Sequence, residues 1–123
     1  MSDVSWDVEH TNEFGDWFVE LSEADQDAID FTVDLLMAQG PRLRFPHSSG
    51  INNSRHSHMR ELRIQCEGRP LRVFYAFDPR RSAILLIGGD KTGDDRFYER
   101  MIPIADELYE VHLNELRQEG LLK

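Results

Sequence analysis

The amino-acid sequence predicts an α+β domain with elements in the order β-α-α-β-β-β-α. Its sheet is small and mostly antiparallel, and the helices pack on one face of it. Three observations carry this expectation. Residues 22–41 show a capped amphipathic pattern closed by Gly-Pro. Residues 59–89 hold three strand-like runs separated by short turn signals. The 123 residues are 40% hydrophobic, enough for one core, and no repeat or low-complexity linker divides them, so residues 1–123 read as one domain.

In chain order, "WDVEH" (residues 6–10) alternates as a short first strand. Thr11 is placed to cap a helix in "TNEFGDWFVEL", where Phe14, Trp17, Phe18 and Leu21 fall at helical spacing. Ser22 caps the next helix, with Asp25 three residues on as in a capping box. Glu23, Asp25 and Asp27 suit the positive end of its dipole. Ala24, Ala28, Phe31 and Leu35 form its expected buried stripe, and Gly40-Pro41 ends it. Residues 41–58 are rich in Pro, Ser, Asn, Gly, Arg and His and read as a long loop. "MRELRIQC", "LRVFYAFD" and "SAILLIGG" are three strands, joined by turns at "EGRP" and "PR". Strands joined this briefly are antiparallel neighbours. In the closing segment, residues 90–120, Pro103 suits the first turn of a final helix, with Ile104, Leu108 and Val111 as its stripe.

No run of eighteen apolar residues occurs, so no membrane span is expected. The N-terminus lacks the basic-then-apolar pattern of a signal peptide, and Cys66 is the only cysteine. Both features point to the cytoplasm. The net charge of −9 is unevenly spread. Residues 1–41 contain eleven acids and no Lys or Arg, a surface suited to a basic partner. Residues 42–81 contain nine arginines against three acids, a local +6. An acidic protein can therefore still present a phosphate-binding face.

Strand phase says where those arginines point. With Cys66 opposite Leu71, Ile64 faces Val73 and Leu62 faces Tyr75, an apolar core face. The other face then carries Arg63 and Arg72 as diagonal neighbours. With Phe77 opposite Ser82, Arg72 faces Ile87, and Gly89 and Lys91 project to the same side. Acids from flanking segments would neutralise these cations as ordinary ion pairs; alternatively, the three form an anion site. Their convergence favours the anion site.

"RHSH" puts His56 and His58 two apart, but no third zinc ligand is evident, and "GGDKTG" lacks P-loop spacing. Cys66 falls in the core phase of its strand, which disfavours a nucleophile.

"MRELRI", then "GRPLRVFYAFDPRRSAILLIGGDK", then a final helix resembles the RelE/ParE superfamily of bacterial toxins, in its HigB-like, phage Gp49-like branch. The resemblance covers roughly residues 4–116. It implies a RelE-like fold, a type II toxin–antitoxin module, and metal-independent, cofactor-free cleavage of mRNA on the ribosome. Arg72 matches the strand arginine that contacts the scissile phosphate, and Arg63 lies near a basic position on the preceding strand. Lys91 is the basic residue after the last core strand, and Tyr98 follows at the spacing of a catalytic tyrosine. Glu61 and Thr92 depart from RelE, which has a lysine and an arginine there. In the implied chemistry the ribose 2′-OH attacks the adjacent phosphate, leaving a 2′,3′-cyclic phosphate and a 5′-OH. Arg72 would hold phosphate oxygens, Arg63 the leaving oxygen, and Tyr98 or Lys91 would be the base, given a lowered pKa. Arg55, His56, His58, Arg60 and Arg69 would contact RNA, with Phe74 or Phe97 stacking on a base. The expected partners are the ribosome, mRNA and a cognate antitoxin of helix-turn-helix type. The alternative is a toxin fold that binds partners without cutting, as ParE-like inhibitors or degenerate toxins do.

Overall fold

The computed structural model describes residues 5–121, so residues 1–4 and 122–123, the ends of the expected domain, lie outside the described residues. A five-stranded sheet has the order β1-β5-β4-β3-β2. Its strands are β1 (Val8–His10), β2 (Ser48–Gly50), β3 (Arg60–Cys66), β4 (Arg69–Phe77) and β5 (Ala83–Asp90). β1 runs parallel to β5, and the other pairs are antiparallel. The helices are α1 (Asn12–Val19), α2 (Glu23–Gln39) and α3 (Phe97–Gln118), with a short 3₁₀ turn at Gly40–Arg42. None of the described helices is long and apolar enough to cross a membrane.

Both expected caps form. Thr11 accepts from the Phe14 amide at 2.9 Å and donates to the Leu86 carbonyl at 2.7 Å, tying α1 to β5. Ser22 accepts from the Asp25 amide at 3.2 Å. The stripe that α2 buries is Asp25, Ile29, Thr32 and Leu36, one position beyond the expected one, and Phe31 is left 62% exposed.

The α+β class and the mostly antiparallel sheet hold, but the helices do not share one face. α1 and α2 cover Leu62, Ile64, Leu71, Val73, Tyr75, Ala83 and Leu85. α3 covers the opposite face, packing Phe97, Met101, Ile102, Ala105 and Tyr109 on Phe74, Ala76, Ile84 and Leu86. Six consecutive residues of β4, Leu71 to Ala76, are buried, which is the mark of a strand covered on both sides. α3 begins at Phe97, so Pro103 lies inside it on an exposed side, and Ile104 and Val111 face outward.

β2 forms where a loop was expected. Its Ser48 pairs with Leu62, and the buried Ser48 hydroxyl meets the Tyr75 hydroxyl at 2.6 Å. The β3–β4 turn has two residues rather than four. Glu67 and Gly68 both have positive φ (54° and 78°), as a type I′ hairpin requires, and Cys66 pairs with Arg69. The pairing thus slides by two residues, which keeps every side chain on its expected face. The β4–β5 connection spans five residues, with Phe77 opposite Ala83. A bulge opposite Phe74/Tyr75 turns both Leu86 and Ile87 toward α3. Gly88 and Gly89 follow, each under an aromatic ring: a Cβ at Gly88 would collide with Trp17, and one at Gly89 would lie 2.8 Å from Phe97.

Candidate active site

The two-residue turn places Arg63 directly opposite Arg72, with Gly89 beyond Arg72 on β5. These positions share the face that α3 covers, just beyond the start of that helix. The first turn of α3 sets Tyr98 above them. The turn after β5, fixed by the Lys91 amide on the Pro70 carbonyl at 3.0 Å, brings Lys91 Nζ to 5.9 Å from the centre of the Tyr98 ring. Arg63, Arg72, Lys91 and Tyr98 are therefore brought together.

Glu61 stands at the centre of this group. It lies two residues before Arg63, on the same face, and is 4% exposed. Its Oε1 accepts from the Tyr98 hydroxyl at 2.7 Å and lies 3.6 Å from Arg72 Nε. Its Oε2 accepts from Ser49 Oγ at 2.8 Å and from Arg63 Nη1 at 3.4 Å. Two guanidiniums at opposed positions repel, and one carboxylate shared between them offsets that. Arg72 is 5% exposed and donates Nη1 to the Leu71 carbonyl at 3.0 Å, yet its buried Nε has no hydrogen-bond partner. Arg63 is half-buried, its guanidinium 5.0 Å from the centre of the Phe45 ring.

Burial pushes the Tyr98 pKa up, the Glu61 carboxylate adds to this, and Arg72 only partly counters it. At neutral pH Tyr98 is a neutral phenol and a proton donor. The lowered pKa expected of a tyrosine base is absent, because burial and then the adjacent Glu61 carboxylate hold the proton on the phenol.

The other expected RNA contacts are scattered. Phe74 is completely buried, stacked on Phe97 with centroids 6.0 Å apart, and has no free ring face for a base. Arg60 points to the opposite face, where its Nε donates to Ser48 Oγ at 3.0 Å. Arg69 also faces away, bound to Asp25 and, at 3.2 Å, to Asp90. Arg55, His56 and His58 lie in the loop before β3. The Arg55 guanidinium is 59% exposed and 3.1 Å from Glu110; His56 Nε2 is also 3.1 Å from Glu110. His58 Nε2 meets the Tyr109 hydroxyl at 3.0 Å, and burial lowers its pKa. Each His is thus engaged with α3. Elsewhere Asp25, Cys66 and Glu67 bring ligand atoms within 4.8 Å, but the Arg69 guanidinium is already seated on Asp25.

The sequence reading missed Glu61 as a site residue. The signal was there: an acid in the same strand phase as Arg63, two residues before it. It also missed Ser49 on the unrecognised strand β2. Two shallow grooves flank Tyr98, of about 280 and 360 Å³.

Comparison with known proteins agrees with this architecture. The family model "Phage derived protein Gp49-like" matches residues 16–110. "Putative toxin HigB3" of Mycobacterium tuberculosis is 42% identical over 92 residues, covering 74% of this chain and 79% of that protein. "Putative toxin HigB2" of the same organism is 35% identical over 114 residues, 89% of this chain, which spans only 55% of that longer protein. Among solved structures, the archaeal RelE–RelB complex from Pyrococcus horikoshii contains a chain that superposes with a TM-score of 0.53 at 14% identity. The match covers 72% of this chain and 98% of that one, a likeness of fold.

Proposed function

The chain belongs to the Gp49-like family, alongside HigB-type toxins, and from that premise we propose that it is the toxin of a type II toxin–antitoxin module. In this reading it cuts mRNA on the ribosome, halting translation until a cognate antitoxin, expected to be a helix-turn-helix protein, neutralises it. The observation that carries the reading is the cluster of Arg63, Arg72, Lys91 and Tyr98 around Glu61, with a buried and unsatisfied Arg72 Nε.

An RNA phosphate entering this cluster takes Arg63 and Arg72 from Glu61. Their guanidiniums then neutralise the charge that builds on phosphorus. Glu61, released from the two guanidiniums, is free to accept a proton. The ribose 2′-OH gives its proton to Glu61 and bonds to phosphorus; the bond to the 5′-oxygen breaks, and Tyr98 protonates that oxygen. The 2.7 Å contact lets Glu61 return the proton to Tyr98, closing the cycle. Lys91, beside the Tyr98 ring, adds positive charge near the leaving oxygen. The products are a 2′,3′-cyclic phosphate and a 5′-OH.

One observation favours a second reading, in which the toxin fold binds its partner without cutting: Arg72 sits behind Glu61, 5% exposed. Inducible expression without antitoxin, followed by primer extension on cellular mRNA, separates the two. Growth arrest with discrete cuts that disappear in Arg72→Ala is expected. Folded wild-type protein that leaves transcripts intact would overturn the nuclease reading.

A further inference from the structure

The loop between β2 and β3 is pinned to α3 along most of its length. Asp106, 3% exposed, accepts from Ser54 Oγ and, at 3.0 Å, from the Arg55 amide. Arg55 and His56 reach Glu110, and His58 reaches Tyr109. Asn52 and Asn53 take no part in this pinning. Both are exposed, and Asn53 is held at φ 70°, a left-handed conformation that asparagine tolerates better than most residues.

Asn53 lines both grooves beside Tyr98, and Asn52 lines the first of them. The first, about 280 Å³, runs from Glu61 past Gly50 and Ile51 to Ile102. The second, about 360 Å³, continues past Ile102 and Pro103 to Glu99. Asn53, Tyr98 and Ile102 line both, so the two are lobes of one channel.

We propose that this channel is a nucleobase subsite, in which Asn52, Asn53 and Glu99 read the edge of the unpaired RNA base beside the scissile phosphate, with Glu99 favouring bases that carry an exocyclic amino group over uracil. The proposal rests on the reading of the Arg63/Arg72 cluster as the phosphate site. The channel opens from Glu61 and Tyr98, so a nucleotide whose phosphate meets the arginines has its base at the channel mouth. Ile51, Ile102 and Pro103 give an apolar floor for a base face, and the edge of Tyr98 gives an aromatic wall. The rim supplies directional groups: two side-chain amides and the exposed Glu99 carboxylate. Glu61 is committed to Tyr98 and Ser49, and Asp106 to the loop, so Glu99 is the acidic acceptor left over. An exocyclic amine of adenine, guanine or cytosine donates to it, whereas uracil presents a carbonyl oxygen in place of an amine. Because residues 54–58 of the loop are already pinned, the ordering that binding requires is confined to Asn52 and Asn53.

The test uses the full chain and 2′-O-methyl trinucleotides, which cannot be cleaved, differing only in the central base. Side-chain amide resonances of Asn52 and Asn53 are followed by NMR. These signals should move on titration, with the adenine, guanine and cytosine oligomers binding several-fold more tightly than the uracil one. Glu99→Gln, whose amide can donate to the uracil carbonyl as well as accept from an amine, should lose the discrimination. The double variant Asn52→Ala/Asn53→Gly, whose glycine keeps the left-handed backbone, should weaken binding of all four oligomers. Both variants should retain phosphate-driven binding. Equal binding of all four oligomers, or shifts confined to other surfaces, would overturn the subsite. Mapping of cut sites in expressing cells separates this from the underlying reading. Cleavage without base bias counts against the subsite alone. Base-selective binding by a protein that cuts nothing counts against the nuclease and upholds the subsite.

Discussion

The Tyr98 hydroxyl donates to Glu61 Oε1 across 2.7 Å, and the same carboxylate lies 3.4 Å from Arg63 and 3.6 Å from Arg72. One acid thus connects a helix to two strands and every expected catalytic side chain except Lys91. Glu61→Gln keeps the shape and an acceptor but removes the charge. It leaves the buried Arg72 guanidinium without an ionic partner and should cost about 1–3 kcal/mol in urea unfolding. Loss of the proton acceptor should lower mRNA cleavage by roughly 10²–10⁴-fold. A stable Glu61→Gln protein with full cleavage would remove Glu61 from the reaction.

Tyr98→Phe tests the donor end of the same contact. The ring packing against Phe97 and Phe74 is retained, but the buried Glu61 carboxylate loses a donor, so stability near neutrality should fall by about 1–3 kcal/mol, while cleavage falls by about two orders of magnitude or more. The pH dependence follows from the raised pKa. A phenol that holds its proton more tightly when folded contributes stability that is complete below its ordinary pKa of 10.0. That contribution is lost as pH rises above this value toward the folded pKa. Tyr98→Phe should therefore blunt the alkaline decline in stability, measured by denaturant unfolding between neutral pH and pH values above 10. An unchanged decline would mean that Tyr98 is not the group responsible.

Gly89 joins the fold to the site. Its missing side chain lets Phe97 rest on β5, and Phe97 is the residue before Tyr98. Gly89→Ala puts a methyl against that ring and should destabilise the chain by about 1–3 kcal/mol. Because the displaced turn of α3 carries Tyr98, cleavage should fall further than the folded fraction does. Activity that tracks the folded fraction alone would uncouple the two.

The strands, both caps and the convergence of Arg63, Arg72 and Lys91 were legible because each rests on local periodicity. A wrong turn length did no harm to the predicted faces, since the true register differs by an even number of residues at the Arg72 end. Three features were hidden for physical reasons. β2 is "SSG", with no apolar alternation, and exists only because β3 offers it an edge. The layer formed by α3 depends on which face of β4 it meets, and a strand apolar on both faces does not reveal that. The RNA contacts expected of Arg60 and Arg69 followed charge and not phase, which puts both with Leu62, Ile64 and Cys66, and the groups that meet them there come from elements distant in sequence. Arg60 and Arg69 are as basic as Arg63, yet they point to the opposite face, toward Ser48 and Asp25.

Arg69 therefore gives the last prediction. Asp25 is 4% exposed at the start of α2, and its bond to Arg69 holds its carboxyl below the ordinary 3.8, against the opposing effect of burial. An acid with a depressed folded pKa contributes stability that is complete above its unfolded pKa and is lost as pH falls through the folded value. Wild-type stability should thus decline below about pH 4, with Asp25 protonation contributing. Arg69→Ala leaves the carboxylate buried without its cation, raises its pKa and lowers stability at neutral pH. Part of the acid-dependent loss should then be missing, because protonating Asp25 relieves the buried charge. Chemical denaturation of both proteins from pH 7 down to pH 3 measures this. If Arg69→Ala were as stable as wild type at neutral pH but bound RNA less well, Arg69 would act on RNA instead of holding α2 to the sheet.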